Sequence, residues 1–262
     1  MTTNKVKLAG KRALITGGSS GIGAAIARAY AQEGAAVAIG ANTGTERARK
    51  LADEINSAGG RAVVVAGDLT SRSDADRIVD ETVAALGGLD ILVHSAGVDV
   101  TSTAPVGETA DDVWDWFLAI HLTAAFRVVK RAIPALLKGN KPSVLFIGSV
   151  AGLVAWEGDV PYNVAKAGLH HLAKCIAVDY AKVGLRANCL APGVVDTPLT
   201  RGFASGMSDN LDEAMATLAK LHPMGRYAVP AEIAGAAVFL ASDEAGFITG
   251  TVLPIDGGMT VI

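Results

Sequence analysis

Short apolar runs alternate along the chain with longer stretches in which apolar residues recur every three or four positions. The short runs have the length of β-strands, and the periodic stretches have the length of amphipathic helices. The predicted strands cover residues 12–16, 36–39, 61–66, 89–94, 143–147, 186–190 and 251–255. The predicted helices cover residues 21–33, 45–57, 73–86, 111–137, 162–182 and 230–240.

Most of the predicted strands are continuous apolar runs, which is the pattern of strands buried on both faces. Alternating strands and helices with right-handed crossovers predict an α/β fold with a doubly wound parallel sheet. Ser73 is the candidate N-cap of the third helix, because Asp74 and Asp76 follow it in the first turn. The chain shows no linker-like segment and no internal repeat, so a single domain over residues 1–262 is expected.

The segment 198–222 interrupts this alternation. It contains Phe203, Met207 and Met215 among several small residues. A long insertion after the carboxyl end of a strand lies where ligands bind in such sheets. We therefore expect 198–222 to form a lid over a crevice.

The composition of the chain indicates which kinds of binding partner to expect. Half of the 262 residues are hydrophobic, 19% are charged, and the formal net charge is −3, which predicts no nucleic-acid partner. A short polar N-terminus and the lack of a run of about 18 apolar residues predict no membrane partner and a cytoplasmic location. Two cysteines form neither a disulfide framework nor a metal cluster, so Cys175 and Cys189 are expected to be small buried residues.

A glycine-rich turn joins the first strand to the first helix. Glycines at 17, 21 and 23 follow a G-x-x-x-G-x-G spacing, which differs from the common G-x-G-x-x-G fingerprint. Glycines let the backbone turn sharply, and the following helix N-terminus offers free N–H groups to a pyrophosphate. The candidate contacts of a nucleotide are therefore Gly17, Ser19, Ser20, Gly21, Ile22 and Gly23.

Asp68 closes the third strand and is a candidate acceptor for an adenine amino group. A solvated carboxylate at a strand end is the alternative.

Tyr162 and Lys166 are four residues apart on a predicted helix, so they share one face. A neighbouring ammonium stabilises a tyrosine phenolate and lowers its pKa, which makes the phenol usable as an acid or base near neutral pH. Ser149 ends the fifth strand, at the edge of the sheet where ligands bind. Together the three residues indicate a site for acid–base chemistry at the carboxyl edge of the sheet.

These motifs resemble those of the short-chain dehydrogenase/reductase family over nearly the whole chain. Residues 16–23 match its TGxxxGxG turn, Ser149 and the Tyr162–Lys166 pair match its catalytic residues, and 192–197 match its loop after the sixth strand. The C-terminal third is most similar to bacterial 3-oxoacyl-carrier-protein reductases and to sugar or polyol dehydrogenases. It shares Gly225, Arg226, Pro230, Glu232, Phe239, Leu240, Ile248, Thr249, Gly250, Asp256, Gly257 and Gly258 with the family pattern.

The resemblance implies one Rossmann-type domain, with a mostly parallel seven-stranded sheet and helices on both faces. It also implies an NAD(P)-dependent oxidoreductase that interconverts a ketone or aldehyde and an alcohol. In that reading Tyr162 exchanges the proton, Lys166 lowers its pKa and holds the nicotinamide ribose, and Ser149 hydrogen-bonds the substrate oxygen. Further implied cofactor contacts are Leu69, Ser95, Ala96, Gly97, Pro192, Gly193, Val195 and Thr197.

Two histidines depart from the family pattern. His94 and Ser95 replace two asparagines after the fourth strand, and His121 occupies the position of an asparagine that supports a proton relay. His121 could sustain the relay and add a pH dependence, since histidine titrates near pH 6.5. Alternatively, the two histidines pack together, or the relay is damaged and the enzyme is slow. For His170, His171 and His222 we expect surface or packing roles.

The choice of nucleotide is open between NADP and NAD. In the family, an acid at the end of the second strand favours NAD, but Ala41 and Asn42 stand there. The basic residue that NADP enzymes often carry before Gly21 is also missing. Asn42, Thr43 and Arg47 are candidate ligands for a 2′-phosphate, so NADP is favoured and NAD remains possible.

Family resemblance places the substrate pocket at Asp99 and Val100, within 150–159 and within 199–221. Trp156, with Glu157 and Asp159 nearby, would suit a hydroxylated or amine-bearing substrate, unless both acids face water. Trp156 and Phe203 are the expected large side chains near the crevice.

A different class of function is a cofactor-binding redox sensor or scaffold with little catalysis. Ser149, Tyr162 and Lys166 argue against it, and His121 is the one feature in its favour. The resemblance also implies a homo-oligomer, commonly a tetramer, formed through the helices at 111–137 and 160–182.

Overall fold

One parallel sheet organises the chain in the computed structural model, which describes residues 6–98 and 104–261. Its strands are β1 Arg12–Thr16, β2 Ala36–Ala41, β3 Arg61–Ala66, β4 Ile91–His94, β5 Ser143–Ile147, β6 Arg186–Pro192 and β7 Val252–Ile255. Their spatial order is β3-β2-β1-β4-β5-β6-β7, and every pairing is parallel. The predicted doubly wound α/β fold is confirmed. The order reverses between β1 and β4, which opens a crevice at the carboxyl ends of these strands.

Helices connect the strands and cover both faces of the sheet. They are α1 Gly21–Gln32, α2 Thr45–Ser57, α3 Arg72–Leu86, α4 Asp111–Leu118, α5 Ala124–Leu136, α6 Val160–Tyr180, α7 Pro198–Met207, α8 Leu211–Ala219 and α9 Pro230–Ala241. Helices α1, α2 and α9 bury apolar side chains against one face of the sheet. Helices α3, α5 and α6 do so on the other face, so the apolar strands are buried on both sides as predicted.

The long helix predicted at 111–137 is interrupted. One turn of π-helix, Ala119–Thr123, separates α4 from α5 and holds His121. A π turn adds one residue to a helical turn, and such turns often occur at functional sites. The apolar periodicity continues through the turn, which is why the pattern predicted one uninterrupted helix.

Two local predictions were wrong. Ser71, not Ser73, is the N-cap of α3, because Ser71 is in the extended conformation and its hydroxyl accepts a hydrogen bond from the amide of Asp74. Cys175 is exposed, because it lies on the side of α6 away from the sheet, whereas Cys189 on β6 is buried as expected.

The segment 198–222 folds as two short helices with a small core of their own. Ala204, Ala214, Met215 and Leu218 form this core, and Phe203 packs against it. Thr197 caps α7 and Asn210 caps α8 through their side-chain oxygens. In the part of the chain that the structure describes, no helix is long and apolar enough to cross a membrane.

Candidate active site

A cavity of about 450 Å³ opens at the carboxyl ends of the central strands. All four predicted catalytic residues line it: His121, Ser149, Tyr162 and Lys166. So do all but one of the residues predicted to bind the cofactor: Gly17, Ser19, Ser20, Gly21, Ile22, Gly23, Asn42, Thr43, Leu69, Ser95, Ala96, Gly97, Pro192, Gly193, Val195 and Thr197. Residues from eight separate parts of the sequence thus share one space.

The glycine-rich turn forms one wall of this cavity. Gly17 has a φ of 64°, and a Cβ there would lie 2.7 Å from the backbone of Ala96. A Cβ on Gly23 would overlap the carbonyl oxygen of Gly17. The N-terminus of α1 receives no side-chain cap from Ser20 and has no acidic residue in its first turn. Its first amides therefore remain open to an anionic ligand.

Helix α6 presents Tyr162 and Lys166 on one face. The Lys166 Nζ lies 5.3 Å from the centre of the Tyr162 ring and donates a hydrogen bond of 3.1 Å to the carbonyl oxygen of Ile147. Burial lowers the pKa of Lys166 to about 8, and Cys189 acts in the opposite direction. Lys166 therefore carries its positive charge at neutral pH, beside the tyrosine ring.

Ser149 follows the last residues of β5 in an extended conformation. Its Oγ accepts a hydrogen bond of 3.1 Å from the amide of Ala151, which caps the 3₁₀ turn Val150–Gly152. This hydroxyl keeps its own proton available, because the hydroxyl only accepts in that bond.

His121 lies between two aromatic rings. Its ring stacks on Phe117 at 5.7 Å between centroids, and it meets Tyr162 edge-on at 5.2 Å. Gly97 makes room for the ring, since a Cβ there would lie 2.7 Å from the His121 Cε1. Burial, and then the charges of Lys166 and His94, lower the pKa of His121 well below its usual value, against a weaker effect of the Val98 backbone. The ring is therefore neutral near pH 7.

His94 serves the end of β4. Its Nδ1 lies 3.1 Å from the Thr16 Oγ1, which also accepts hydrogen bonds from the amides of Ser95 and Ala96. The threonine hydroxyl therefore donates its proton to the Nδ1 of His94. Burial lowers the pKa of His94 to about 3, so this ring is also neutral. The ring packs edge-on against Phe146. Through its contact with Thr16, it links the end of β1 to the end of β4.

Arg47, a candidate ligand for the 2′-phosphate, lies in the cavity wall. A Cβ on Gly44 would lie 2.7 Å from an Arg47 guanidinium nitrogen and would overlap the Ser19 hydroxyl. Arg47 and Lys166 are the charged side chains among the described lining residues, and none of those residues is a carboxylate. The wall is therefore electropositive.

Asp68 is the predicted cofactor residue that does not line the cavity. Its Oδ1 accepts hydrogen bonds from the amide and the hydroxyl of Thr70, at 2.9 and 2.8 Å. This carboxylate shapes the turn before α3.

The expected tryptophan wall is not among the described residues that line the cavity. Trp156 and Phe203 do not line the cavity, and neither do Glu157 or Asp159. Glu157 is exposed, whereas Asp159 is buried, so the two acids do not share one environment. Asp99 and Val100, also predicted for the pocket, lie outside the described residues.

Several lining residues were not predicted, among them Thr16, Val98, Ile120, Leu199 and Thr200. His222 has a supporting role that the sequence did not show. Its Nε2 accepts a 3.0 Å hydrogen bond from the amide of Val194, and its Nδ1 lies 3.2 Å from the carbonyl oxygen of Leu218. The buried ring thereby holds the loop after β6, which agrees with a packing role. Gly193 lies against this ring, since a Cβ there would come within 2.7 Å of the His222 Nε2.

Comparison with known proteins adds to this geometry. A family model described as Enoyl-(Acyl carrier protein) reductase matches residues 17–260. The 3beta-hydroxysteroid dehydrogenase 1 of Eggerthella lenta is 37% identical over 255 residues, which are 97% of this chain and 95% of that protein. The 2,5-dichloro-2,5-cyclohexadiene-1,4-diol dehydrogenase LinX of Sphingobium indicum is 39% identical over 257 residues, 97% of this chain and 98% of that protein.

A solved structure gives the same result. The crystal structure of a dehydrogenase/reductase from Sinorhizobium meliloti 1021 superposes with a TM-score of 0.88 and 39% identity, covering 98% of this chain and 97% of that one. The fold and the matches define an oxidoreductase. The chain belongs to the short-chain dehydrogenase/reductase family.

A nicotinamide cofactor is implied by this fold, and the residues present fit one. The cradle at Gly17 and Gly23 admits only backbone, the start of α1 leaves its amides open, and Arg47 adds positive charge beside it. These are the features that a pyrophosphate requires.

Proposed function

We propose that the protein is an NADP(H)-dependent dehydrogenase that interconverts a secondary hydroxyl group on a carbon ring and the corresponding ketone. The observation that carries this proposal is the meeting of Ser149, Tyr162 and Lys166 in one cavity, with the lysine ammonium 5.3 Å from the tyrosine ring. This is the arrangement in which a phenol exchanges a proton near neutral pH.

Each of these residues has a separate task. Tyr162 gives its phenolic proton to the substrate oxygen during reduction and takes it back during oxidation. Lys166 stabilises the phenolate by its charge and would hold the ribose of a bound nicotinamide cofactor. Ser149 donates its hydroxyl proton to the substrate oxygen and so fixes the reacting carbon. The bound nicotinamide supplies or accepts the hydride.

The cofactor contacts divide along the cavity. Gly17, Ser19, Ser20, Gly21, Ile22 and Gly23 would hold the pyrophosphate, and Asn42 and Thr43 the adenosine ribose. Leu69, with Asp68 beside it, would border the adenine, and Ser95, Ala96 and Gly97 the middle of the dinucleotide. The carboxamide end would meet Pro192, Gly193, Val195 and Thr197. All of these residues except Asp68 line the cavity.

Preference for NADP rests on the electropositive wall at the end of β2. A 2′-phosphate there would meet the guanidinium of Arg47 and the polar groups of Ser19 and Thr43, with no carboxylate among the described lining residues to repel it. Guanidinium groups bind phosphate through charge-assisted, bidentate hydrogen bonds.

We expect the R47Q variant to raise the KM for NADPH about tenfold and to leave the KM for NADH unchanged, because only NADPH loses a phosphate contact. Steady-state kinetics with both cofactors measure this. R49Q is the matched control, since Arg49 is an exposed residue of the same helix and does not line the cavity. An equal rise for both cofactors would contradict a contact with the 2′-phosphate.

Two observations support a ring alcohol as the substrate: the names of the similar proteins and the apolar residues that line the cavity. Both named relatives act on hydroxyl groups of carbon rings, a steroid and a cyclohexadienediol. Val98, Ile120 and Leu199 give apolar surface to the cavity that Tyr162 and Ser149 also line. Apolar walls with few polar groups are typical of sites for uncharged ring compounds.

A panel assay tests the proposal. The protein is incubated with NADP⁺ or NAD⁺ and with steroid, cyclohexanol and linear alcohols, and with the matching ketones in the reverse direction, while absorbance of the reduced nicotinamide is followed. We expect turnover with ring alcohols, higher with NADP⁺. Cofactor binding without turnover of any compound would instead support the redox sensor or scaffold.

His121 is proposed to replace the family asparagine as a neutral group in the proton route behind Tyr162. Its edge-on contact with the Tyr162 ring and its place in the cavity wall support this. A damaged relay and simple packing are the alternatives, and they differ in how the enzyme responds to substitution.

We expect H121N to retain kcat and to leave the pH profile between pH 6 and pH 9 unchanged, because the native ring is already neutral there. H121L should lower kcat about tenfold, since leucine fills the space but cannot form the hydrogen bonds that a proton route requires. Stopped assays across the pH range measure both variants. Equal kcat in H121L and the native enzyme would favour packing, and a faster H121N would indicate a damaged relay.

We also propose that the protein is a homotetramer in the cytoplasm. Trp116 on α4, Phe126 on α5, and Val164 and Val178 on α6 expose large apolar surfaces on the helices that the family uses for association. Such exposed surfaces are typical of interaction sites. Light scattering of the purified protein measures the mass.

A further inference from the structure

A third residue on α6 repeats the one-turn spacing of Tyr162 and Lys166. His170 follows Lys166 by four residues, so its side chain lies on the same face of the helix. Only 5% of His170 is exposed, and it does not line the cavity. It therefore lies behind the site and cannot touch a substrate there.

The His170 ring occupies a space that two glycines leave free. A Cβ on Gly148 would lie 2.6 Å from its Nε2, and a Cβ on Gly152 would lie 2.8 Å from its Nδ1. These glycines flank the turn that begins at Ser149. The ring thus packs directly beneath the backbone that carries the Ser149 hydroxyl.

The polar edge of the ring faces this turn. Burial lowers the pKa of His170 to about 4, whereas the backbones of Gly152 and Ser149 act to raise it, so the ring is neutral near pH 7. A neutral imidazole has one N–H donor, and Nδ1 is the nitrogen nearest Gly152. The N–H is therefore assigned to Nδ1, on the side of the turn, whereas Nε2 is buried and has no hydrogen-bond partner among the described residues.

Helix α6 consequently contacts the end of β5 at two places, one before Ser149 and one after it. Lys166 binds the carbonyl oxygen of Ile147, two residues before Ser149. His170 packs against the turn that follows, within which the amide of Gly152 donates to the carbonyl oxygen of Ser149 at 3.0 Å. The position of the 149–152 turn relative to Tyr162 therefore depends on His170, because both residues lie on α6.

We infer that His170 is a positioning residue, which fixes the Ser149 hydroxyl at its working distance from Tyr162 by holding the 149–152 turn against α6. This inference rests on the proposed function, in which Ser149 hydrogen-bonds the substrate oxygen. Small displacements of such a group lower the rate strongly, because the reacting atoms must be aligned.

Two substitutions of His170 separate the hydrogen bond from packing. In H170L, which keeps an apolar side chain of similar size, we expect kcat to fall about tenfold with an unchanged cofactor Kd. In H170N the side-chain amide takes the place of the Nδ1–H, and we expect most of kcat to return. H171L, which removes the exposed histidine next along α6, should behave as the native enzyme.

Dependence on Ser149 is tested by combining variants. S149A alone should lower kcat about a hundredfold. If His170 acts through Ser149, H170L should lower kcat no further in the S149A background, whereas a general packing defect would lower it equally in both backgrounds. Equal losses would overturn the inference.

Different results would contradict the role of Ser149 in the proposed function and the positioning role of His170. A native kcat in S149A would show that Ser149 does not hydrogen-bond the substrate oxygen, and would contradict that part of the proposed function. A full loss in S149A with native kcat in H170L would overturn only the inference about His170. If H170L does not fold, H170N is compared with H170Q, whose amide cannot reach the Nδ1 position. We expect H170N to be the more active, and equal activities would overturn the inference.

Discussion

Replacement of Tyr162 by phenylalanine is expected to lower kcat by about a thousandfold or more, because it removes the only proton that Tyr162 can transfer. The ring itself stays, so its edge-on contact with His121 and its contact with Lys166 are retained. Cofactor affinity, measured by fluorescence titration of the reduced nicotinamide, should therefore remain close to native. Stopped-flow or long-interval absorbance assays measure the remaining turnover.

Y180F is the matched control for this substitution. Tyr180 ends the same helix, contributes to the apolar core beneath it, and does not line the cavity. We expect native turnover in Y180F. Substantial turnover in Y162F would show that another group transfers the proton and would remove the central residue of the proposed function.

The second large effect is expected at Gly23. In G23A the new methyl group would overlap the carbonyl oxygen of Gly17, so the turn and the start of α1 must move apart. Since this turn would hold the pyrophosphate, we expect cofactor Kd to rise by about a hundredfold or more, equally for NADPH and NADH. Titration calorimetry with both cofactors measures the loss.

A glycine elsewhere on a helix provides the control. A Cβ on Gly235 of α9 would meet no atom within 4 Å, so G235A should bind cofactor normally. It should also raise the free energy of unfolding by about 0.5–1 kcal/mol, because alanine loses less conformational entropy in a helix than glycine. Unimpaired binding in G23A would contradict a pyrophosphate site at this turn, and thermal unfolding of both variants reports whether the fold is kept.

Much of the fold was predictable because buried parallel strands have an unmistakable pattern. Continuous apolar runs such as residues 143–147 have the length of a strand and leave no polar face for solvent. Glycine spacing and the four-residue step from Tyr162 to Lys166 predicted which segments would meet, since strand ends at one edge of a sheet share a single crevice.

What the sequence did not show depends on tertiary packing. The π turn at Ala119–Thr123 changes the helical register while the apolar pattern continues. Ser71 and Ser73 are both suitable caps, and only the path of the chain from β3 decides between them. The exposure of Cys175 likewise follows from packing that no local pattern encodes.

His170 and His222 illustrate the same limit at the site. Each is a buried histidine whose partners are backbone groups far away along the chain: Gly148 to Gly152 in one case, and Val194 in the other. A lone histidine in a helical pattern is compatible with many roles. Only the coordinates show that both rings support loops beside the cavity.

The contacts of His222 have a thermodynamic consequence. This ring joins the last turn of α8, through Leu218, to the backbone of Val194 beside Gly193. We therefore expect the two-helix insertion and the loop after β6 to move together, so that a ligand that orders either of them would reduce the entropy that a second ligand must still lose on binding. Occupancy at one end of the cavity would then raise affinity at the other, and linkage requires that increase to be equal in both directions.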